Sequence, residues 1–227
     1  FGDVGSGGRV ERVGITNVDI TGDMWVGGLV GYNDGGTVTE SYANGSVDGD
    51  SQVGGLVGGN ADGTVTESYA AVDIEGSSAG GLVGSNFATI TESYATGSVP
   101  RGWDKGGLVA SNSGEVTDSY WDEESTGQSS SAGWTALTTA EMQRLAPYTK
   151  MDGFSFEGPQ TWLFVDGYPS LAWEGYNELT LNSLGAADVT ATAGVSDEVI
   201  VTAEADDGQS AAYVKIDVAD ADGLNFD

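Results

Sequence analysis

The sequence contains no cysteine and no histidine, only four prolines, and seven basic residues against 35 acidic ones in 227 positions. Without cysteine there are no disulfides and no thiolate metal sites. Without histidine there is no Ser-His-Asp or Cys-His arrangement and no His-Glu-x-x-His zinc site. The seven basic residues, Arg9, Arg12, Arg101, Lys105, Arg144, Lys150 and Lys215, are scattered. Phosphate binding needs clustered Lys and Arg, so nucleic acid is excluded as a partner, and an anionic membrane surface with it. No apolar run approaches the ~20 residues of a membrane span, so direct membrane insertion of this segment is excluded too. No signal peptide is visible, and Phe1 at position 1 reads as the start of a mature or excised piece.

The formal net charge is -28. Two readings of that acidity stand side by side. One is adaptation to molar salt, where the screening length falls to about 3 Å and crowded carboxylates stop repelling one another. The other is calcium held by carboxylates, the one cofactor the composition raises. The acidic residues run the length of the chain, which favours the salt reading.

Glycine is plentiful, at 37 residues, and it recurs on a fixed rhythm. Gly27-Gly28-Leu29-Val30-Gly31 returns as Gly54-Gly55-Leu56-Val57-Gly58, as Gly80-Gly81-Leu82-Val83-Gly84 and, altered, as Gly106-Gly107-Leu108-Val109-Ala110. The offsets are 27, 26 and 26 residues. Asn33, Asn60, Asn86 and Asn112 each follow two residues behind a copy. A second block keeps step: Val38-Thr39-Glu40-Ser41-Tyr42-Ala43 matches Val65–Ala70, Ile90–Ala95 and Val116–Trp121. Val18-Asp19-Ile20-Thr21-Gly22 resembles Val72–Gly76, so Val10–Gly27 reads as a divergent half coil.

These blocks are short, rich in Val, Thr and Tyr, and bounded by glycine, which is strand chemistry. A unit of about 26 residues cannot bury its own apolar face, so neighbouring copies must stack. At ~3.3 Å per residue it has chain enough for one three-sided coil, with coils ~4.8 Å apart. The predicted fold is therefore all-β, a parallel β-solenoid. Stacking turns repeated positions into columns. Gly28-Leu29, Gly55-Leu56, Gly81-Leu82 and Gly107-Leu108 form one, with the leucines in register. The four asparagines form an amide ladder at a turn. Glu40, Glu67, Glu92 and Asp118 form an acidic ladder, in which like charges at coil spacing repel by roughly 0.9 kcal/mol per pair in water. That ladder is the candidate cation site. The sequence points to no catalytic residue and no cofactor-binding residue.

The blocks resemble the GLUG repeat of bacterial and archaeal surface proteins, adhesin-like chains and some immunoglobulin-A-cleaving metallopeptidases. The resemblance covers Val10–Tyr120. It implies an extracellular β-solenoid surface module, and the acidity adds a halophilic host. The zinc chemistry of the peptidases has no counterpart in a chain without histidine. The segment after the array is also similar to the stretch on the C-terminal side of such repeats, in Tyr120-Trp121-Asp122, Gly127–Gly133, Leu137–Met142 and Gly167–Leu171. Three divisions result: residues 1–120, the solenoid; 121–176, a cap; and 177–227, a partial domain.

An open solenoid end exposes strand edges, so a cap is expected there. Residues 121–176 hold ten aromatics, among them Trp134, Phe154, Phe156, Trp162, Phe164, Tyr168 and Trp173. They read as a packed cap rather than a sugar-binding platform. Thr138-x-x-Glu141 is a capping box that predicts one short helix near Thr139–Leu145, stopped by Pro147. Beyond it, Val189–Ala193, Glu198–Glu204 and Ala212–Val218 read as strands, with Asp206-Asp207-Gly208 as a hairpin turn. This resembles part of an immunoglobulin-like β-sandwich. Its few strands are short of the usual seven and need the cap, further chain or a neighbouring molecule to finish their burial. Arg101 and Lys105 flank Trp103 at the junction of the third and fourth repeats, a solvated loop or a functional one.

Three function classes remain. The favoured one is a structural or adhesive surface module, whose partners would be copies of itself, other surface proteins or surface glycans. The alternative is a filament subunit that assembles by strand addition or end-to-end stacking. A carbohydrate-active β-helix enzyme ranks last, because abundant carboxylates are not a site.

Overall fold

The computed structural model describes residues 1–100, 103–144, 146–156, 160–163 and 167–174, and the backbone of 188–193, 198–204 and 211–217. The chain divides into two compact units, Phe1–Tyr176 and Asn177–Asp227.

The first unit is a parallel β-solenoid with three faces. Asp3–Gly5, Val30–Asp34, Val57–Ala61, Val83–Asn86 and Val109–Asn112 pair in that order on the first face. Arg9–Glu11, Thr37–Thr39, Thr64–Thr66, Thr89–Thr91 and Glu115–Thr117 form the second. The third is the longest. It stacks Gly14–Gly27 on Tyr42–Gly54, then Tyr69–Glu75 with Ser78–Gly80, then Tyr94–Ala95 with Asp104–Gly106, then Tyr120–Asp122. Five rungs result, and the repeat sets their register: Val30 lies over Val57, Val57 over Val83, and Val83 over Val109. Residues 1–11 already supply two faces of the first rung. Val18 continues through Gly45 to Val72, and Ile20 through Val47 to Ile74, the correspondence the half-coil match anticipates.

The leucine column forms as expected. The amide of Leu29 donates to the carbonyl of Leu56, Leu56 to Leu82, and Leu82 to Leu108, at 2.8–3.0 Å. All four side chains are buried. Strict in–out alternation fails at Leu-Val because Leu29 stands in the bend before the Val30–Asp34 strand, so both residues turn inward. Val, Leu, Ile and Ala from all five rungs fill the interior as one core.

A second core lies outside the coil. Tyr42, Tyr69, Tyr94 and Tyr120 share one column on the third face, while their neighbours Ala43, Ala70 and Ala95 point in. The tyrosine rings stack, 42 on 69 at 4.9 Å and 69 on 94 at 5.0 Å. Against this column pack Met142, Met151, Phe154, Phe156, Trp162, Leu171 and Trp173.

Residues 121–174 thus do two jobs, where the sequence suggests one. The part from Thr126 to Leu137 closes the last rung: Thr135–Leu137 adds a parallel strand to Tyr120–Asp122. The amides of Val99, Gly107 and Ala132 bond across this seam. The part from Met142 to Glu174 runs back along the side of the solenoid as a strap. It bonds to four successive rungs: Trp173 Nε1 donates to the Glu40 carbonyl, Tyr69 to Glu174, Tyr94 to the Pro169 carbonyl and Tyr120 to the Asp152 carbonyl.

The helix content corrects the sequence reading in two respects. Among the described residues there are three short helices, not one: α1 (Glu123–Thr126), α2 (Thr139–Met142) and α3 (Pro147–Lys150), besides a 3₁₀ turn at Ala172–Glu174. The expected capping box is present, with Thr138 and Glu141 bonding reciprocally. The helix ends at Gln143, however, and Pro147 opens α3 instead of ending α2. Proline fits the first helical position because its missing N–H has no partner there anyway. The sequence reading omits α1, whose signals are Asp122, which caps it through the amides of Glu124 and Ser125, two glutamates in the first turn, and Gly127 at its end.

The second unit contains Asp188–Ala193, Glu198–Glu204 and Ala211–Asp217, joined antiparallel in that order. These match the three predicted strands to within a residue. The Asp206–Gly208 turn falls outside the described residues. Among the described residues this unit shows one three-stranded sheet.

Candidate functional site

The repeated polar residues make three columns at the corners of the coil, and each has its own chemistry. The asparagines are fully buried except the last. Asn33 Nδ2 donates to Asn60 Oδ1, Asn60 to Asn86 and Asn86 to Asn112, each at 2.8 Å. Asn33, Asn60 and Asn86 also bond turn carbonyls, at Gly36, Thr89 and Ala88. The ladder ends upstream at Val4, which pairs with Asn33. Valine offers no amide, and Asn33 Oδ1 is left buried without a partner.

Serine builds the second column. Ser41, Ser68, Ser93 and Ser119 are fully buried. Each hydroxyl donates two residues back to the carbonyl of Thr39, Thr66, Thr91 or Thr117 at 2.7–2.8 Å. Each oxygen accepts an amide from the rung above. This clamps the intervening acidic residue into a left-handed turn: φ is 45° at Glu40, 47° at Glu67, 46° at Glu92 and 43° at Asp118. Non-glycine residues avoid that region unless local bonds hold them there.

The acidic ladder is the third column, and it has a lid. Arg12 occupies the same corner in the first rung, with φ 53°, and pairs with Glu40 at 2.9 Å. Glu67 accepts a bond from Thr161 of the strap at 2.7 Å. Burial, then the charges of Glu67 and Asp118, hold the Glu92 carboxyl above its ordinary range. Among the described residues no three acidic groups converge as a metal site would need. The sixteen repeat residues singled out from sequence are thus brought together column by column, in the walls of the coil and not in a cleft.

Two features escape sequence reasoning. Asp122 is a fully buried carboxylate that accepts from the amides of Glu124 and Ser125 and the hydroxyls of Thr139 and Tyr168. It locks the start of the strap to the last rung. An open groove of about 360 Å³ on the third face is lined by Asp19, Asp48, Asp73, Glu75 and Ser46 among others. Strand alternation could have revealed it, since these residues all face outward around Val47 and Ile74. Trp103 stands 95% exposed. Arg101 and Phe164 lie outside the described residues.

A family model described as the GLUG motif matches residues 25–48, 49–75 and 75–99. Those boundaries fall on successive rungs of the stack. Residues 25–99 are thus similar to three successive copies of that motif. The fourth copy, with Ala110 and Asp118 in place of glycine and glutamate, lies beyond the matched GLUG stretch. A curated relative, halomucin of the haloarchaeon Haloquadratum walsbyi, is 36% identical over 110 residues, 46% of this chain. The chain spans about 1% of that protein's length. No solved structure matches the chain.

Removing one central amide from the asparagine ladder is expected to cost far more than removing the last. Asn60→Ala deprives Asn33 of an acceptor, Asn86 of a donor and the Thr89 carbonyl of its bond. Each buried polar group left unpaired costs about 1–3 kcal/mol. Asn112→Ala loses only the bonds its Oδ1 accepts from Asn86 and the Gly114 amide. Thermal melts at high salt should show a large drop in Tm for the first variant and a small one for the second.

The strap carries its own pH dependence. Burial holds the Glu174 carboxyl above its ordinary range, while bonds from the Leu171 amide and Tyr69 pull the other way. A carboxyl raised on folding favours the folded state below its unfolded pKa, and loses that contribution as pH rises through the folded value. Docking of the strap should therefore weaken from about pH 4.5 upward. Tryptophan fluorescence against pH should show that slope, and Glu174→Gln should flatten it.

Proposed function

We propose that the chain is a non-catalytic structural and adhesive module of a halophilic cell-surface protein, exposed outside the cell. The observation that carries the reading is how the repeated polar side chains are spent. Asparagine and serine are consumed in bonding rung to rung, and the acidic corner is held in the wall. A catalytic β-helix would direct some of them toward a substrate. The net charge of -28 and the resemblance to a haloarchaeal protein named halomucin support the halophilic, extracellular assignment. Partners on this reading are further copies, other cell-surface proteins and surface glycans. The test is protease added to intact cells of the native host. Loss of the chain's epitope while a cytoplasmic marker survives supports the surface assignment; an epitope that survives until lysis overturns it.

One observation favours filament assembly as a second reading. Among the described residues Gly14–Gly27, a 14-residue strand, pairs with Tyr42–Gly54 alone. Exposed strand edges accept further strands. Light scattering at high salt, with and without Asn177–Asp227, separates a polymer from a solitary module.

A further inference from the structure

We propose that Asn44 is an N-glycosylation site. The sequence has nine asparagines, and Asn44-Gly45-Ser46 is the one place where asparagine is followed at the second position by serine or threonine. That tripeptide is the acceptor signal for N-linked glycans on exported proteins.

The fold treats this asparagine differently from those of the ladder. Asn33, Asn60 and Asn86 are buried and their amide nitrogens are engaged. Asn44 is exposed on the outer side of Tyr42–Gly54, with Ser46 exposed beside it. The next rung places Ala71 directly opposite Asn44, so the stack itself needs no amide there. Gly45, by contrast, is dictated by packing: its φ is 142°, and a Cβ would lie 2.2 Å from the Val18 carbonyl oxygen.

The neighbourhood leaves room for a sugar. Above Asn44 the register of Gly14–Gly27 shifts between Ile15 and Val18, so two residues, Thr16 and Asn17, span the place opposite one. A bulge of this kind bends its strand and leaves the extra residue unpaired. Below lies the methyl group of Ala71. Along the strand the open groove begins at Ser46 and continues between Asp19 and Asp73. Carboxylates lining a groove accept hydrogen bonds from sugar hydroxyls without any cation being present.

The chemistry is a substitution at the anomeric carbon of a glycosyl phosphate or pyrophosphate donor. The bond from that carbon to the phosphate oxygen breaks, and its electron pair leaves with the phosphate. Asn44 Nδ2 forms the new bond and gives up one proton, which ends on the phosphate. A host glycosyltransferase catalyses the step, so the inference rests on the extracellular reading above.

The experiment forces export, so its outcome does not depend on the native location of the protein. The full chain is expressed in a halophilic archaeon that N-glycosylates its own surface proteins, with and without that host's secretory leader. Mass spectrometry is run on the peptide Ser41–Glu67, released by a glutamate-specific protease. The expected result is a hexose-containing mass on Asn44 in the exported chain alone, absent in Asn44→Gln and Ser46→Ala and retained in Ser46→Thr. An exported, folded chain whose Asn44 is a free amide, or has hydrolysed to aspartate, overturns the proposal. Failure of the protease experiment on native cells would instead count against the surface assignment.

Discussion

Gly55→Ala is expected to abolish the folded stack. A Cβ on Gly55 would sit 2.2 Å from the carbonyl oxygen of Gly81 and 2.8 Å from the Cβ of Ala70. Real Cβ atoms do not approach backbone that closely, and no flexible side chain is available to move aside. Gly28 meets the Gly55 carbonyl at 2.3 Å, and Gly81 meets the Gly107 carbonyl at 2.1 Å, so the same constraint recurs in the first three repeats, while at Gly107 the Trp121 ring fills the space. None of these glycines has a positive φ. Space, not conformational freedom, is what they supply. Seating one methyl group would force two rungs apart and break the Leu56–Leu82 bond at 2.9 Å. Overpacking a tight core ordinarily costs about 1–3 kcal/mol, and displaced backbone takes the cost higher, above ~4 kcal/mol. Circular dichroism at high salt should show lost strand signal or an insoluble product. A melting temperature near that of the parent would refute the packing argument.

Stability is expected to collapse as salt is withdrawn. Thirty-five acidic residues face seven basic ones, and the ion pairs in view are few and exposed: Arg9–Glu11, Arg12–Glu40 and Lys150–Glu141. Exposed pairs contribute little. The acidic column repeats like charges at rung spacing, and Arg12 relieves only its first member. Self-repulsion of this size destabilises a compact chain. Passing from about 3 M to about 0.1 M KCl lengthens the screening distance from a few ångströms to about 10 Å. The strand signal at room temperature should fall, or the Tm should drop by tens of degrees. If neither changes, the halophile reading fails and the calcium reading returns. In that case EDTA should destabilise the chain where dilution of KCl did not.

The register of the solenoid was legible from sequence because each rung copies the last. Offsets of 27, 26 and 26 residues are enough to place Val30, Val57, Val83 and Val109 in one column. The amide ladder follows from the same periodicity. The conformation at the acidic corner does not. Glutamate has no preference for a left-handed turn, and the cause is the serine after it, whose hydroxyl bonds back across the turn. The strap was legible only as composition. Its aromatics signal a packed core, but what they pack on is decided by the outward tyrosines on strands far upstream. Pro147 was misread because proline ends one helix and begins another with the same chemistry, and only the chain path tells which.

The strap also decides how the protein meets mechanical load. A solenoid pulled along its axis is a row of zippers, and each rung can peel away alone, because only its bonds to the next rung resist. Here Trp173, Glu174, the Pro169 carbonyl and the Asp152 carbonyl tie rungs two to five to one common element. Those rungs cannot part singly while the strap holds, so tension is shared among them. In single-molecule stretching, the strapped rungs should yield in one event. Trp162→Ala, which removes a fully buried ring from beneath the strap, should split that event into smaller steps at lower force.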